Sequence, residues 1–274
     1  MSDMKKLQGK ILEIMKFIDK VCKENNIKYA IMGGTALGAI RHKGFIPWDD
    51  DLDIFMTIEE YEKFKKAFNK LNQDKFVLQE WRVVDEYLEY AKVRMNGTTF
   101  IEEAFKDKKD LHQGIYVDIM ILHKCPKSKL WQKVIYYISK YLVLVGLMQR
   151  NWKPKTISQK IILNIAKFLP NKFLAYLGYK LIYHFDKSLK DNFVWCYYIT
   201  KAKFHQGIFD KNMFEELEEI EFEDTKLLAP KRIKEYLKIR YGDYMKLPPE
   251  SERKENIHAL IWDTEKDYKE YLNG

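Results

Sequence analysis

The chain has 274 residues, a formal net charge of +8 and 46% hydrophobic residues. That length gives one large domain, or a core with an elaboration, and 18 Tyr, 16 Phe and 6 Trp exclude a disordered chain. The basic balance fits an anionic partner (nucleic acid, a phosphorylated polymer, a nucleotide or an anionic membrane surface), although lysine-rich proteomes produce the same balance without one.

Cys22, Cys125 and Cys196 are isolated, without CxxC or Cys/His ligand spacing. They support neither a disulfide framework nor a zinc site. The first residues, Met1 to Lys6, lead into an amphipathic segment and not into the apolar core of a signal peptide. The expected location is cytoplasmic.

Residues 4–25 carry Leu7, Ile11, Ile14, Met15, Ile18, Val21 and Cys22 at helical spacing, with lysines outside. Residues 29–32 read as a short strand. Gly33 and Gly34 turn the chain, and Thr35 is placed to cap a short helix running to about Arg41. A loop at 42–48 leads to Asp49-Asp50-Asp51-Leu52-Asp53-Ile54-Phe55, whose apolar end is strand-like. Side chains alternate along a strand, so Asp51 and Asp53 share a face, and Asp50 points away from it if the strand already begins there. Thr57-Ile58-Glu59-Glu60 has capping-box spacing and starts a helix to about Leu71.

Three further strands follow. The first is 76–79. The second, 90–95, puts Lys92 and Arg94 on one face, and Asn96-Gly97 makes a tight turn from it into 98–101. The third, 115–122, is apolar enough to be central and carries a single carboxylate, Asp118.

From Lys127 the composition changes to Lys, Tyr, Leu and Ile without strand alternation. Helices are predicted near 127–149, 156–168 and 171–185, punctuated by Pro154 and Pro170. The apolar run 141–148 is too short to span a bilayer. Bulky apolar residues mixed with lysine occur in ordinary core helices with a solvated lysine face, which is the commoner case, and in interfacial helices. A strand at 195–200, a helix over 211–219 capped by Asp210, and a helix from Pro230 to Tyr241 stopped by Gly242 complete the pattern. The charged tail 250–274 has Trp262 as its anchor.

The chemistry concentrates in a few residues. Aspartates packed as closely as Asp49, Asp50, Asp51 and Asp53 repel one another, and folded chains tolerate this mainly around a cation. Asp51 and Asp53 from one strand and Asp118 from another can converge on a divalent ion that bridges phosphate oxygens. Gly33 and Gly34 permit close backbone approach to phosphate, with helix N–H groups behind them and the Thr35 hydroxyl beside them. Lys92 and Arg94 can bind a phosphate or offset a leaving group. Arg41, His42 and Lys43 lie where substrate contact is plausible, with His42 read as a polar loop residue. Trp48 and tyrosines can cage a quaternary ammonium. A Gly-Gly … Asp-x-Asp … Asp spacing points to a nucleotidyltransferase-like site. No nucleic-acid-binding motif accompanies it.

These residues resemble the LicD/fukutin family of the nucleotidyltransferase superfamily. The resemblance rests on GGTALGAIRHKGFIPWDDDLDIFM at 33–56, AKVRMNGTTF at 91–100, GIYVDIMIL at 114–122 and YGDYMKLPPESERKENIH at 241–258. The first and last of these are specific, and together they cover nearly the whole chain in the family's order. The resemblance implies an α+β fold: a nucleotidyltransferase-like mixed β-sheet core flanked by helices, with an added helical region. It divides the chain into a catalytic core at 1–126, a helical insertion at 127–190 facing the acceptor or a membrane, and a part at 191–274 that completes the core. LicD proteins move phosphocholine from CDP-choline to a hydroxyl of a teichoic acid, lipopolysaccharide or other glycan, releasing CMP. Fukutin-type relatives transfer ribitol phosphate.

On that resemblance Asp51, Asp53 and Asp118 hold Mg²⁺ or Mn²⁺ and form the catalytic set, with Asp118 as first candidate to take the acceptor proton. Gly33, Gly34 and Thr35 lie against the diphosphate, with Lys92 and Arg94 near it, and the loop at 241–249 closes one wall. The implied partners are CDP-choline or a related CDP-alcohol and a glycan acceptor on a lipid carrier at the inner membrane face, with no nucleic acid. Transfer of ribitol or glycerol phosphate, and nucleotidyl transfer from an NTP, remain alternatives.

Overall fold

The structure, a computed structural model, describes residues 3–81, 88–150, 154, 156–200, 202–253 and 257–272. The first helix, α1 (Asp3–Glu24), turns Leu7, Ile11, Ile14, Ile18 and Val21 into the core at i, i+3/i+4 spacing. After it come β1 (Ala30–Ile31), α2 (Gly33–His42), β2 (Asp53–Thr57), α3 (Ile58–Phe68), β3 (Phe76–Gln79), β4 (Tyr90–Met95), β5 (Thr99–Glu102) and β6 (Tyr116–Pro126). Three helices follow, α4 (Lys129–Gln149), α5 (Ile157–Ala166) and α6 (Asn171–Ser188), then β7 (Phe193–Cys196), β8 (Ile208–Phe209), β9 (Leu217–Phe222) and β10 (Thr225–Pro230). The chain closes with α7 (Ile233–Tyr241), β11 (Ala259–Asp263) and α8 (Tyr268–Leu272). The protein is thus α+β.

The chain forms two units, and each is interrupted in sequence. The first takes Met1–Glu80, Tyr90–Ile121 and Asn212–Gly274; the second takes Trp81–Glu89 and Leu122–Lys211. The first unit holds the sheet path β1-β2-β6-β4-β3, with β1–β2, β3–β4 and β4–β6 antiparallel. Because β6 lies inside the sheet, its residues Val117 and Ile119 are fully buried. The register sets Lys92 opposite Asp118 and Arg94 opposite Tyr116. Two antiparallel ribbons, β9–β10 and β5–β11, belong to the same unit.

The second unit packs Ile135 and Leu142 of α4 with Ala175, Ile182 and Phe185 of α6, Cys125 of β6 and Cys196 of β7. Its strands are the last residues of β6, paired antiparallel to β7, and β7 paired to β8. Buried between them, His123 meets Asp186 at 2.7 Å and Glu89 at 3.1 Å, and the Tyr183 hydroxyl donates to Glu89. Burial alone would lower the His123 pKa, but the two carboxylates outweigh it and hold the imidazolium up at about 10.

Several sequence expectations are corrected. Residues 211–219 do not form a helix. They make a short 3-10 turn at Lys211–Met213 and then β9, because pairing with β10 overrides the helix preference of the glutamates. That ribbon turns at Glu223, at a left-handed φ of 52°. Thr35 does not cap α2: the helix begins at Gly33 with Met32 at the N-cap, so Thr35 lies inside its first turn. Pro230 ends β10, and Arg232 precedes α7. The strand predicted at 195–200 is Phe193–Cys196. The turn at Asn96-Gly97 exists, with Gly97 at φ +70°, but the strand beyond it pairs with β11 and not with β4. Trp262 of the charged tail lies opposite Phe100 in that ribbon.

Candidate active site

The site grows from the junction of α2 and β2. Gly33 opens α2 at φ +54°, a conformation that L side chains rarely adopt. A Cβ there would lie 3.5 Å from Asp53 Oδ2 and 3.8 Å from Tyr241 Oη. A Cβ on Gly34 would lie 2.7 Å from Asp49 Oδ2. The glycine pair therefore lets two carboxylates approach the start of a helix. The Gly33 N–H donates to Tyr236 Oη at 2.9 Å. The Asp53 N–H donates to Thr35 Oγ1 at 2.9 Å, and the Asp53 carbonyl accepts from the Met32 N–H at 3.2 Å. These bonds lock the first residue of β2 onto the first turn of α2. The Asp118 N–H donates to the Leu52 carbonyl at 3.0 Å, which joins β6 to the same place.

The electrostatics are those of crowded acids. Burial, then Asp50, pushes the Asp49 carboxyl up to about 6. Burial, then Asp49, Asp50 and Asp118, pushes Asp51 up to about 7. Asp53 is held well above the usual carboxylate range by burial and by Asp51 and Asp118, against the pull of Lys92. Asp118 is also raised, burial outweighing Lys92. Lys92 is buried, its Nζ 2.8 Å from Asp118 Oδ1, 4.0 Å from Glu102 and 3.3 Å from the centre of the Tyr116 ring. One ammonium thus faces several carboxylates that disfavour each other's charge. Such a set of hard oxygen donors suits Mg²⁺ or Mn²⁺, so the residues present fit the divalent ion that the sequence implied.

Asp50 takes a different part. It is almost wholly buried, and it lies in the segment before β2, which begins only at Asp53, so the strand alternation expected to turn it away does not apply. Its two oxygens accept from the His258 backbone N–H and Nδ1, each at 2.6 Å. The Asp50 carboxylate lifts the His258 pKa to about 9, against the opposing effect of burial. Ligand atoms of Asp50, Asp51 and His258 lie within 4.8 Å of one another, but two of these three residues already neutralise each other.

The other predicted residues divide. Arg94 is buried, donating to Gln79 Oε1 at 2.6 Å and to the Gly114 carbonyl at 2.8 Å, beside the Tyr116 ring. Arg41 donates to His42 Nε2 and to the Tyr244 carbonyl at 3.2 Å, so it secures the loop after α7. Lys43 is exposed, 3.6 Å from Glu221. Trp48 is partly exposed and stands edge-on to His42, ring centres 6.1 Å apart. Sequence reasoning assigned no role to His258 or Tyr236, although His258 ends the last quoted motif, and it left Asp49 undecided. Tyr241 was expected in a wall of the site. The structure puts it against Gly33, its hydroxyl raised to about 12 by burial and kept up by Asp53 and Asp49.

An acidic cluster at a glycine-opened helix, fed by two neighbouring strands of one sheet, is the arrangement of a nucleotidyltransferase-type domain. Comparison with known proteins agrees: residues 26–141 match the family described as LicD/FKTN/FKRP, nucleotidyltransferase domain. The chain is similar to that family over those residues. It is 28% identical over 250 residues to the lipopolysaccharide cholinephosphotransferase LicD of Haemophilus influenzae, covering 89% of this chain and 91% of that one. It is also 30% identical over 131 residues to an uncharacterized protein of Rickettsia prowazekii, covering 48% of this chain and 46% of that one.

Proposed function

We propose that this protein transfers phosphocholine from CDP-choline to a hydroxyl of a cell-surface glycan, releasing CMP, and that the reaction depends on Mg²⁺ or Mn²⁺. The observation that carries the reading is the desolvated set Asp49, Asp51, Asp53 and Asp118 against Gly33 and Gly34, in a chain similar along most of its length to a lipopolysaccharide cholinephosphotransferase. Asp51, Asp53 and Asp118 would hold the divalent ion. When bound, that ion screens the diphosphate and stabilises charge on the leaving phosphate.

The remaining steps fall to the chain's own side chains. The acceptor hydroxyl attacks the phosphorus distal to cytidine, in line with the CMP oxygen. Asp118 is the carboxylate assigned to receive the hydroxyl proton. Lys92 bears on the same carboxylate and offsets charge as the bond to CMP breaks. Tyr236 and Thr35 hold the glycine turn and Asp53 in position, so that most of the acceleration comes from positioning and fixed charge. Trp48 is assigned to the trimethylammonium group, whose positive charge an aromatic face attracts. The glycan acceptor sits on a lipid carrier, and the enzyme works on the cytoplasmic side of the membrane.

The test is a panel of CDP-choline, CDP-ribitol, CDP-glycerol and CDP-ethanolamine with Mg²⁺, scored by CMP release. CDP-choline turning over fastest is the expected result. Preference for CDP-ribitol or CDP-glycerol moves the assignment to another alcohol phosphate. Pyrophosphate release from an NTP, with no CMP from any CDP-alcohol, overturns it in favour of nucleotidyl transfer.

A further inference from the structure

Between Lys127 and Phe185 the sequence holds eleven Lys and Arg and no Asp or Glu. This stretch accounts for the whole of the net +8. It also holds most of the large apolar side chains that the described residues leave in solvent. Helix α5 buries Leu163 and Ala166 and turns Ile157, Ile161, Ile162 and Ile165 outward. Ile157 is 80% exposed, Phe168 just beyond the helix is 91% exposed, and Phe173 at the start of α6 is 59% exposed. A folded chain seldom leaves so large a contiguous apolar surface uncovered unless something binds there. The helix is secured at its start by a reciprocal Thr156–Gln159 capping box, so the surface is pre-formed.

Lys160, Lys167 and Lys172 are exposed along the same segment. Isoleucines and phenylalanines rimmed by lysine, with no acid among them, complement a layer that is apolar beneath and anionic at its face. A second copy docked through this segment would set Lys160, Lys167 and Lys172 against the same cations, with no acid to offset them. Nucleic acid would leave the isoleucines without apolar partners. Among the described residues no helix is long and apolar enough to cross a membrane, so the helix would lie in the interface plane.

We propose that α5 and the residues leading into α6 form a docking surface for an anionic lipid bilayer. Ile157, Ile161, Ile165, Phe168 and Phe173 enter the acyl boundary, and the lysines meet phosphate headgroups. The inference is independent of the reaction chemistry, since its test uses neither donor nor acceptor.

The test is co-sedimentation of the full chain with vesicles of phosphatidylcholine alone and of phosphatidylcholine mixed with phosphatidylglycerol. The wild type is expected to bind the mixed vesicles and to bind neutral ones far more weakly. I161S/I165S/F168S, confined to exposed positions, should lose at least about tenfold in affinity. K160Q/K167Q/K172Q should lose about a hundredfold on anionic vesicles, and with it most of the salt dependence. Both variants are checked by circular dichroism to retain the wild-type helix content. Binding unchanged in the apolar variant, equal binding of the wild type to both vesicles, or a dimer in solution with no vesicle binding would each overturn the proposal.

Discussion

The replacement Asp51→Asn separates what stabilises this protein from what makes it work. Asp51 ionises near 7 in the folded chain, against 3.8 for a free aspartate, because of burial and then of Asp49, Asp50 and Asp118. A carboxyl raised on folding costs nothing below about pH 4 and costs most above about pH 7, where the folded state must bear a charge that the unfolded state bears easily. At about 1.4 kcal/mol per pH unit the ceiling is about 4 kcal/mol. A buried amide without full partners returns about 1–3 kcal/mol of that, leaving a net gain of about 2 kcal/mol. In a chain of this size that is about 5 °C in Tm. Melting curves of wild type and Asp51→Asn at pH 7.5, in EDTA and in excess Mg²⁺, give the readout. In EDTA the variant should melt higher than the wild type. With Mg²⁺ the wild type should gain about 3 kcal/mol at a hundredfold excess over Kd, the variant should gain much less, and its turnover should be lost. A variant that melts lower in EDTA, or that gains as much from Mg²⁺, refutes the reasoning.

Outcomes are expected for four further variants. His258→Gln leaves the buried Asp50 carboxylate without its imidazolium and should cost about 2 kcal/mol, discounted because the ring is half exposed. With a folded pKa of about 9, the contribution is complete below pH 6.5 and lost as pH rises through 9, so urea unfolding should show the wild-type advantage shrinking from pH 6.5 to 10; a flat difference contradicts the assignment. Gly38→Ala should cost about 2–3 kcal/mol, because its Cβ would meet the Gly44 carbonyl at 2.4 Å and the Ile46 nitrogen at 3.2 Å, both backbone, whereas Gly34→Ala meets only the end of Asp49 and should lower CMP release at least about tenfold with little change in Tm. Lys92→Met removes the ammonium from Asp118 and should destabilise by about 3–5 kcal/mol, with the deficit largest above neutral pH and smaller in Mg²⁺; equal deficits at pH 5 and pH 8 would show that packing, and not charge, is lost.

The elements legible in the sequence were those whose signal is local. The amphipathic period of α1, the run of β6 and the shared face of Lys92 and Arg94 all follow from residue spacing. The near-exclusive helicity of 127–190 does too. Two of the misreadings share one cause, which is long-range pairing. Residues 217–222 look helical by composition and become a strand because β10 lies beside them. Residues 99–102 look like the second arm of a hairpin but pair with a strand from the C-terminal tail. The site divides in the same way. Asp51 and Asp53 were visible as an i, i+2 pair, while the bond from His258 to Asp50 and that from Gly33 to Tyr236 each span more than 200 residues of chain. Nothing in local spacing encodes such contacts.

Those long spans bear on the order in which the molecule is made. Gly33, Tyr29 and Phe45 are translated between 178 and 203 residues ahead of their partners Tyr236, Leu228 and Glu223. The acidic turn is therefore translated long before it can be held in place. Throughout synthesis of the helical stretch its aspartates stay hydrated and separable, without the desolvation that crowds them in the finished protein. A chain that stops before α7 keeps every aspartate of the cluster and lacks the tyrosine that fixes the glycine turn beneath them.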